Sequence, residues 1–329
     1  MKAGGRTTGG LVGAVMMIGG MAPAQGGSPL MEQVAAGEGK PLPVILSTDC
    51  GTEIDDQWAV IYLTMSPEFR VLGFVGNHAR NGLTAALARD AVLDVLENRL
   101  QMHEHPPVFA GSDGPLAAPD RPNDNAGVRS IIEQSKAFTP TERLNVLIIG
   151  SHSDVGSAIL SDPTIVQRIR VVMMGFRDWP AGGDDWNVQN DPAAARVVFE
   201  SGVPLVVGCG EVAKRHLSFT TDDVRELMKG AGPVGHWLAE CFANFGGRFE
   251  VRGRRIWPIW DVITCAHLLG YTRSAVYSRP GIREDLSFDH AQPKGEMTWV
   301  EWIDEGRLWK DYVEKLKAWE RQGTGDGSG

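Results

Sequence analysis

Four carboxylates crowd into eight residues immediately after an apolar run, in Val44-Ile-Leu-Ser-Thr-Asp-Cys-Gly-Thr-Glu-Ile-Asp-Asp-Gln-Trp-Ala59. The apolar run, Pro43–Ser47, reads as a buried strand, and Gln57–Met65 reads as the helix that follows it. In an α/β sheet, ligands bind beyond the carboxyl ends of strands. Asp49, Glu53, Asp55 and Asp56 therefore stand at the expected mouth of a site. So many like charges repel one another unless a cation neutralises them. Oxygen-only donors suit a hard ion such as Ca²⁺ or Mg²⁺. Capping of the helix start accounts for one or two acids, not four. The spacing is not that of an EF-hand loop.

The strand–helix pattern continues along the chain. Apolar runs at Val71–Val75, Leu144–Ile149, Val171–Met174 and Leu205–Val207 read as strands. Leu83–Leu96, the segment from Val155 and Pro192–Glu200 read as helices. Short apolar strands alternating with amphipathic helices predict an α/β fold: one Rossmann-like domain with a mostly parallel central sheet flanked by helices. From Trp257 onward the chain is Trp-rich, with Trp299, Trp302, Trp309 and Trp319, and that region is expected to be helical.

The ends read differently. Lys2 and Arg6, the apolar Leu11–Ile18 and the small residues Ala22-Pro-Ala24 follow the order of a signal peptide over residues 1–24, which predicts export to the periplasm or the medium. The apolar stretch is too short for a membrane span, so no membrane association is expected after processing. Residues 25–42 read as a linker, 43–320 as the domain and 321–329 as a frayed tail. A net charge of −9 offers no basis for non-specific nucleic-acid binding, which needs a positive surface. The four cysteines, Cys50, Cys209, Cys241 and Cys265, form no CxxC pair and are expected to be free thiols.

Thr48-Asp-Cys-Gly-Thr-Glu-Ile-Asp-Asp-Gln-Trp-Ala59 resembles the N-terminal aspartate motif of the inosine-uridine-preferring nucleoside hydrolases, with two extra residues between Gly51 and Asp55. Further segments resemble the family's in the same order. They are Val75-Gly-Asn-His-Ala-Arg-Asn81 with Arg89-Asp-Ala91, Phe109-Ala-Gly-Ser-Asp-Gly-Pro-Leu116, Ile149-Gly-Ser-His-Ser-Asp-Val155, Asp185-Trp-Asn-Val-Gln-Asn-Asp-Pro-Ala-Ala-Ala195 and Pro258-Ile-Trp-Asp-Val-Ile263. The resemblance spans about residues 43–315.

That resemblance implies a Ca²⁺-dependent hydrolase of the N-glycosidic bond of ribonucleosides or a related N-riboside. It implies metal ligation by Asp49, Asp56, the Ser153 carbonyl and Asp261, with Asp49 also acting as the base toward water. Asp55, Asn81, Asp185 and Asn187 would hold the sugar hydroxyls, and Asp55 is counted with Asp49 as catalytic. Counting back from Arg89 favours Asn81 over Asn77. Trp260 stands where many members have histidine; it is counted with the substrate-binding residues, to stack on a purine or else simply fill space, and no general acid is evident. His152 and His78 are nearby candidates. Glu53 could add a carboxylate to the metal shell or point into solvent as a helix-start charge, and solvent is preferred. Two rival readings remain at this point: a hydrolase of another glycoside on the same cradle, and a non-catalytic calcium-dependent sugar binder. Assembly as a homodimer or homotetramer stays open.

Overall fold

The computed structural model describes residues 39–183 and 185–323. The expected signal peptide and nearly all of the expected linker lie outside these residues. Six strands, β1 (Leu42–Thr48), β2 (Phe69–Gly76), β3 (Val108–Ala110), β4 (Leu144–Ile148), β5 (Ile169–Met174) and β6 (Leu205–Gly208), come from the apolar halves of strand–helix units. Two short hairpin elements follow, β7 (Ser218–Phe219) against β9 (Arg254–Pro258), and β8 (Phe249–Val251) against the same β9. Then come β10 (Thr272–Ser278), the small pair β11 (Gly281–Ile282) and β12 (Phe288–Asp289), and β13 (Glu296–Ile303).

The main sheet has eight strands in the order β10-β13-β6-β5-β4-β1-β2-β3. All its pairings are parallel except β10 with β13. The expected α/β architecture with a mostly parallel sheet is what the chain adopts. β1 lies between β4 and β2, so the chain leaves β1 to one side and resumes on the other at β4. Such a reversal opens a crevice beyond the strand ends.

Helices flank the sheet. They are α1 (Asp56–Met65), α2 (Ala85–Leu93), α3 (Ala126–Ser135), α4 (Ser153–Ser161), α5 (Trp186–Asn190), α6 (Pro192–Glu200), α7 (Gly210–His216), α8 (Thr221–Leu227), α9 (Gly232–Phe245), α10 (Val262–Leu268) and α11 (Glu305–Gly323). The single helix expected over Leu83–Leu96 is α2 continued by a π-helical segment, Asp94–Arg99. α1 is buried on every side, because α10 and α11 cover what the sheet does not. Trp58 meets Trp309 edge-on at 5.7 Å, Tyr312 donates to the Trp58 carbonyl at 3.2 Å, and Tyr62 donates to Asp311 at 2.6 Å. The last helix thus fixes the helix that carries the acidic motif. No helix among the described residues is long and apolar enough to cross a membrane.

The expectation of an all-helical region after Trp257 is corrected. Trp257 lies on β9, and Trp299 and Trp302 lie on β13, where Trp299 pairs with Ala275 and Trp302 with Arg273. The cause is periodicity: buried Met297 and Trp299 stand two apart, the spacing of one strand face, while flanking β-branched residues favour extended backbone. Only Trp309 and Trp319 sit on a helix. All four cysteines are free, and Cys50, Cys209 and Cys265 are buried.

Candidate active site

β1 ends at Thr48, and the chain turns through Asp49 and Gly51, whose φ of 103° a side chain would strain. It then enters α1 at Asp55 and Asp56. Far along the sequence, α10 starts at Asp261 beside α1. Asp55 and Asp261 both occupy N-cap positions, yet neither side chain caps its own helix. Their carboxyls are instead directed at each other, and oxygens of Asp55, Asp56 and Asp261 lie within 4.8 Å of one another. Asp56 also accepts a hydrogen bond from the Thr48 hydroxyl. The three residues are at most 4% exposed.

Burial pushes the Asp55, Asp56 and Asp261 carboxyls well above the usual carboxylate range, and neighbouring carboxylates push further: Glu53 and Asp49 on Asp55, Asp49 and Asp55 on Asp56, and Asp55 and Asp56 on Asp261. A buried all-oxygen trio of this kind fits a hard divalent cation, which would relieve both penalties. Asp49 faces the same cavity outside that trio. Burial raises it to about 6, opposed chiefly by the hydrogen bond from the Trp186 indole at 3.1 Å and aided by the Asn190 carboxamide at 3.4 Å. Trp186 and Asn190 stand four apart on α5, so one helix face presents both donors. Arg80 covers the outer side of Trp186 at 4.5 Å.

The cavity holds about 380 Å³, and its wall includes Asp49, Glu53, Asp55, Asp56, Asp185, Asn187, Trp260 and Asp261. Phe249, Trp257, Arg177, Glu211 and Lys214 complete its outer part. Phe249 and Trp257 stack at 5.0 Å, and Trp260 meets Trp257 edge-on at 6.0 Å. Asp185 caps α5 by accepting from the Asn187 amide at 3.0 Å, while Asn187 donates to the Met174 carbonyl at 3.2 Å. These bonds fix both residues at the end of β5.

Three expectations are corrected. Asn81 is exposed in a turn, accepts from the Leu83 amide at 3.1 Å and does not line the cavity. The loop after β2 carries it outward. Asn77 is buried instead, but its carboxamide is occupied by Ser47 and by the Ser151 backbone, so it ties β1, β2 and the β4 loop together. Ser153 is already inside α4, its hydroxyl donating to Asp191 at 2.6 Å, and it does not reach the cavity wall. Ile149, just past β4, does reach it, and its side chain is in the core. Glu53 does not face solvent: its carboxyl lines the cavity beside Arg248 at 3.7 Å, and burial raises it to about 7. Neither candidate histidine lines the cavity. His152 is buried, and burial holds it down at about 4; His78 is tied to the Ser112 and Asn190 carbonyls.

Sequence reasoning passed over Trp186, Asn190, Ile149 and the aromatic pair Phe249–Trp257. The α5 spacing of Trp186 and Asn190 was the available signal. The contribution of the β8–β9 hairpin had none, because it approaches the site only through tertiary packing.

Comparison with known proteins agrees with this geometry. The family described as inosine-uridine preferring nucleoside hydrolase matches residues 44–313. The chain is 26% identical over 244 residues to the pyrimidine-specific ribonucleoside hydrolase RihB of Escherichia coli O1:K1 / APEC, covering 67% of this chain and 77% of that protein. Among solved structures, the plant nucleoside hydrolase PpNRh1 superposes with a TM-score of 0.70 at 18% identity, covering 85% of this chain and 100% of that one. The inosine-uridine preferring nucleoside hydrolase from Bacillus anthracis gives 0.66 at 16% identity, with coverage of 84% and 99%.

Proposed function

Because the chain belongs to the inosine-uridine preferring nucleoside hydrolase family and is an N-glycosyl hydrolase, we propose that its cavity cleaves the C1–N bond of ribonucleosides with Ca²⁺ as cofactor. The observation that carries this reading is the buried Asp55–Asp56–Asp261 trio, whose crowded charge a divalent cation would neutralise. Nearby Asp49 is free to do other work. A bound Ca²⁺ would supply charge to lower the pKa of a water and to engage vicinal sugar hydroxyls.

The chain's own groups divide the remaining tasks. Asp49 takes the proton from the attacking water, held in position by the Trp186 and Asn190 donors. Asp185 and Asn187 hold the sugar from the β5 side. As the C1–N bond lengthens, positive charge grows on the ring, and the surrounding carboxylates stabilise it. Trp260, backed by Trp257 and Phe249, offers the aromatic surface for a flat base. Ile149, which reaches the wall from the end of β4, would offer its backbone carbonyl to the cation in place of Ser153. We also propose that residues 1–24 direct export, and a mature N-terminus near Gln25 in secreted protein supports it, whereas Met1 there overturns it.

The test is release of reducing sugar from uridine and inosine, with chelator and then with calcium restored. Sugar release that stops under chelation and returns with calcium is expected. No release from either nucleoside with calcium present overturns the proposal.

A further inference from the structure

A second cavity of about 460 Å³ lies beside the acidic one, and Glu211 and Lys214 belong to both walls. The second cavity sets four cations, Lys214, Arg215, Arg252 and Arg254, against two carboxylates, Glu211 and Asp223. This cationic excess occurs in a chain of net charge −9, directly beside a site whose inner wall is acidic. It is not an average property of the surface.

The side chains differ in how they are engaged. Arg254 is held by Asp223 at 3.3 Å and by the Thr220 hydroxyl at 3.2 Å. Lys214 lies over the Phe249 ring at 4.4 Å, on the shared wall. Arg215 and Arg252 are exposed and have no carboxylate within ion-pair distance among the described residues. Arg252 adopts φ of 53° in the two-residue turn between β8 and β9, followed by Gly253 at 77°. Turns of this kind favour Asn or Asp at the first position. The turn chemistry therefore does not account for an arginine there, whereas an anion at the groove would.

We propose that the substrate is an N-riboside bearing phosphate, a nucleotide, whose sugar occupies the acidic cavity while its phosphate reaches the groove of Lys214, Arg215 and Arg252. Guanidinium forks match phosphate oxygens, and the groove supplies them one cavity away from the carboxylates that would repel an anion. The C1–N bond breaks, the water oxygen bonds to C1, one water proton passes to the leaving nitrogen, and the phosphate stays on the product. The inference rests on the N-riboside reading above and adds the phosphate.

The experiment compares uridine with its 5′-monophosphate and 5′-diphosphate, and inosine with its 5′-monophosphate, by sugar release. It uses the wild type and the double variant Arg215→Gln/Arg252→Gln. The phosphorylated substrates should show kcat/KM higher by about tenfold, the scale of one charge-assisted hydrogen bond. That preference should shrink at high salt. The double variant should lose it while retaining the wild-type value for uridine and inosine. Equal or lower kcat/KM for the phosphorylated substrates overturns the proposal and leaves nucleoside hydrolysis standing. An equal loss on all substrates also overturns it. If nothing is hydrolysed, the N-riboside reading fails, and calorimetry with ribose 5-phosphate and ribose decides the groove: tighter binding of the phosphorylated sugar, abolished in the variant, supports it, and equal binding overturns it. Inorganic phosphate that binds without competing with nucleotide marks an anion site separate from the substrate, and overturns it as well.

Discussion

Asp55 and Asp261 each stand at the N-cap of a helix, and each turns its carboxyl away from that helix toward the other. An aspartate that gives up a cap forfeits about 1 kcal/mol. Two that do so in order to face one another, with Asp56 alongside, raise their mutual repulsion as well. A cation between them would relieve that repulsion, and on the proposal above the metal-free and metal-loaded proteins should respond oppositely to the same change.

Asp261→Ala should therefore have effects of opposite sign. In chelator it removes one of three crowded charges, and the melting temperature should rise by about 2–4 °C for a gain near 1 kcal/mol. In calcium the same variant loses a ligand, so it should forgo most of the mass-action stabilisation, about 2.7 kcal/mol when free ion is 100-fold above its dissociation constant. Thermal melts of wild type and variant in both conditions measure this. A lower melting temperature in both would mean that Asp261 serves packing alone.

The raised carboxyls also fix how the metal-free protein responds to pH. Burial lifts Asp49 from 3.8 to about 6 and Glu53 from 4.5 to about 7. A group whose folded value is raised favours the protonated folded state. Its stabilisation is complete below the unfolded value and is lost as pH climbs through the folded one. For Asp49 the loss amounts to about 3 kcal/mol, at 1.4 kcal/mol per unit. In chelator the melting temperature should fall between pH 5 and pH 7.5, and calcium should restore most at the upper end. A flat profile in chelator would show that these carboxyls are solvated.

The fold and the site were not equally legible. β1 and its acidic turn, and the apolar strands β2, β4, β5 and β6, follow from runs of buried residues that periodicity reveals. β10 and β13 did not: β10 has no buried residue to mark a face, and in β13 the aromatic content near the C-terminus outweighed the spacing of buried Met297 and Trp299. In the site, Asp49, Asp55, Asp56 and Asp261 converge on one cavity as their motif positions imply, and so do Asp185, Asn187 and Trp260. Asn81 and Ser153 did not: one was assigned by counting back from Arg89 and the other by its place in a loop motif. A loop's path depends on tertiary contacts that spacing does not encode. Glu53 turns inward for the same reason: Arg248, which pairs with it, comes from just before a distant hairpin.

The two asparagines after β2 should behave oppositely. Asn81→Ala removes a single exposed contact to the Leu83 amide and should leave both turnover and stability within experimental error, since exposed changes fall within about 0.5 kcal/mol. Asn77→Ala leaves the Ser151 amide and carbonyl without their buried partner, a cost of about 1–3 kcal/mol. Denaturant melts together with uridine turnover separate them. A large loss of turnover in a stably folded Asn81→Ala variant would return that residue to the site.

The last prediction concerns how the base departs. Protonating a departing nucleobase requires an acid at the leaving-group side, and no histidine lines the cavity. His152 is buried behind Asn187 and held neutral, and His78 is occupied by two carbonyls. The aromatic wall of Trp260, Trp257 and Phe249 can stack a base but cannot give it a proton. With no histidine there, catalysis is expected to rest mainly on the charge around the sugar, which favours substrates whose leaving group needs little help. A nitrophenyl riboside should be cleaved faster than inosine by about 100-fold or more, the lower end of what general acid catalysis contributes. Steady-state kcat/KM for the two substrates checks this. Comparable values would mean that a proton is delivered efficiently, and the residue to substitute next is Glu53, because its carboxyl lies in the same wall. Glu53→Gln should then depress inosine cleavage and spare the nitrophenyl riboside, whereas under the expectation argued here it should not separate the two.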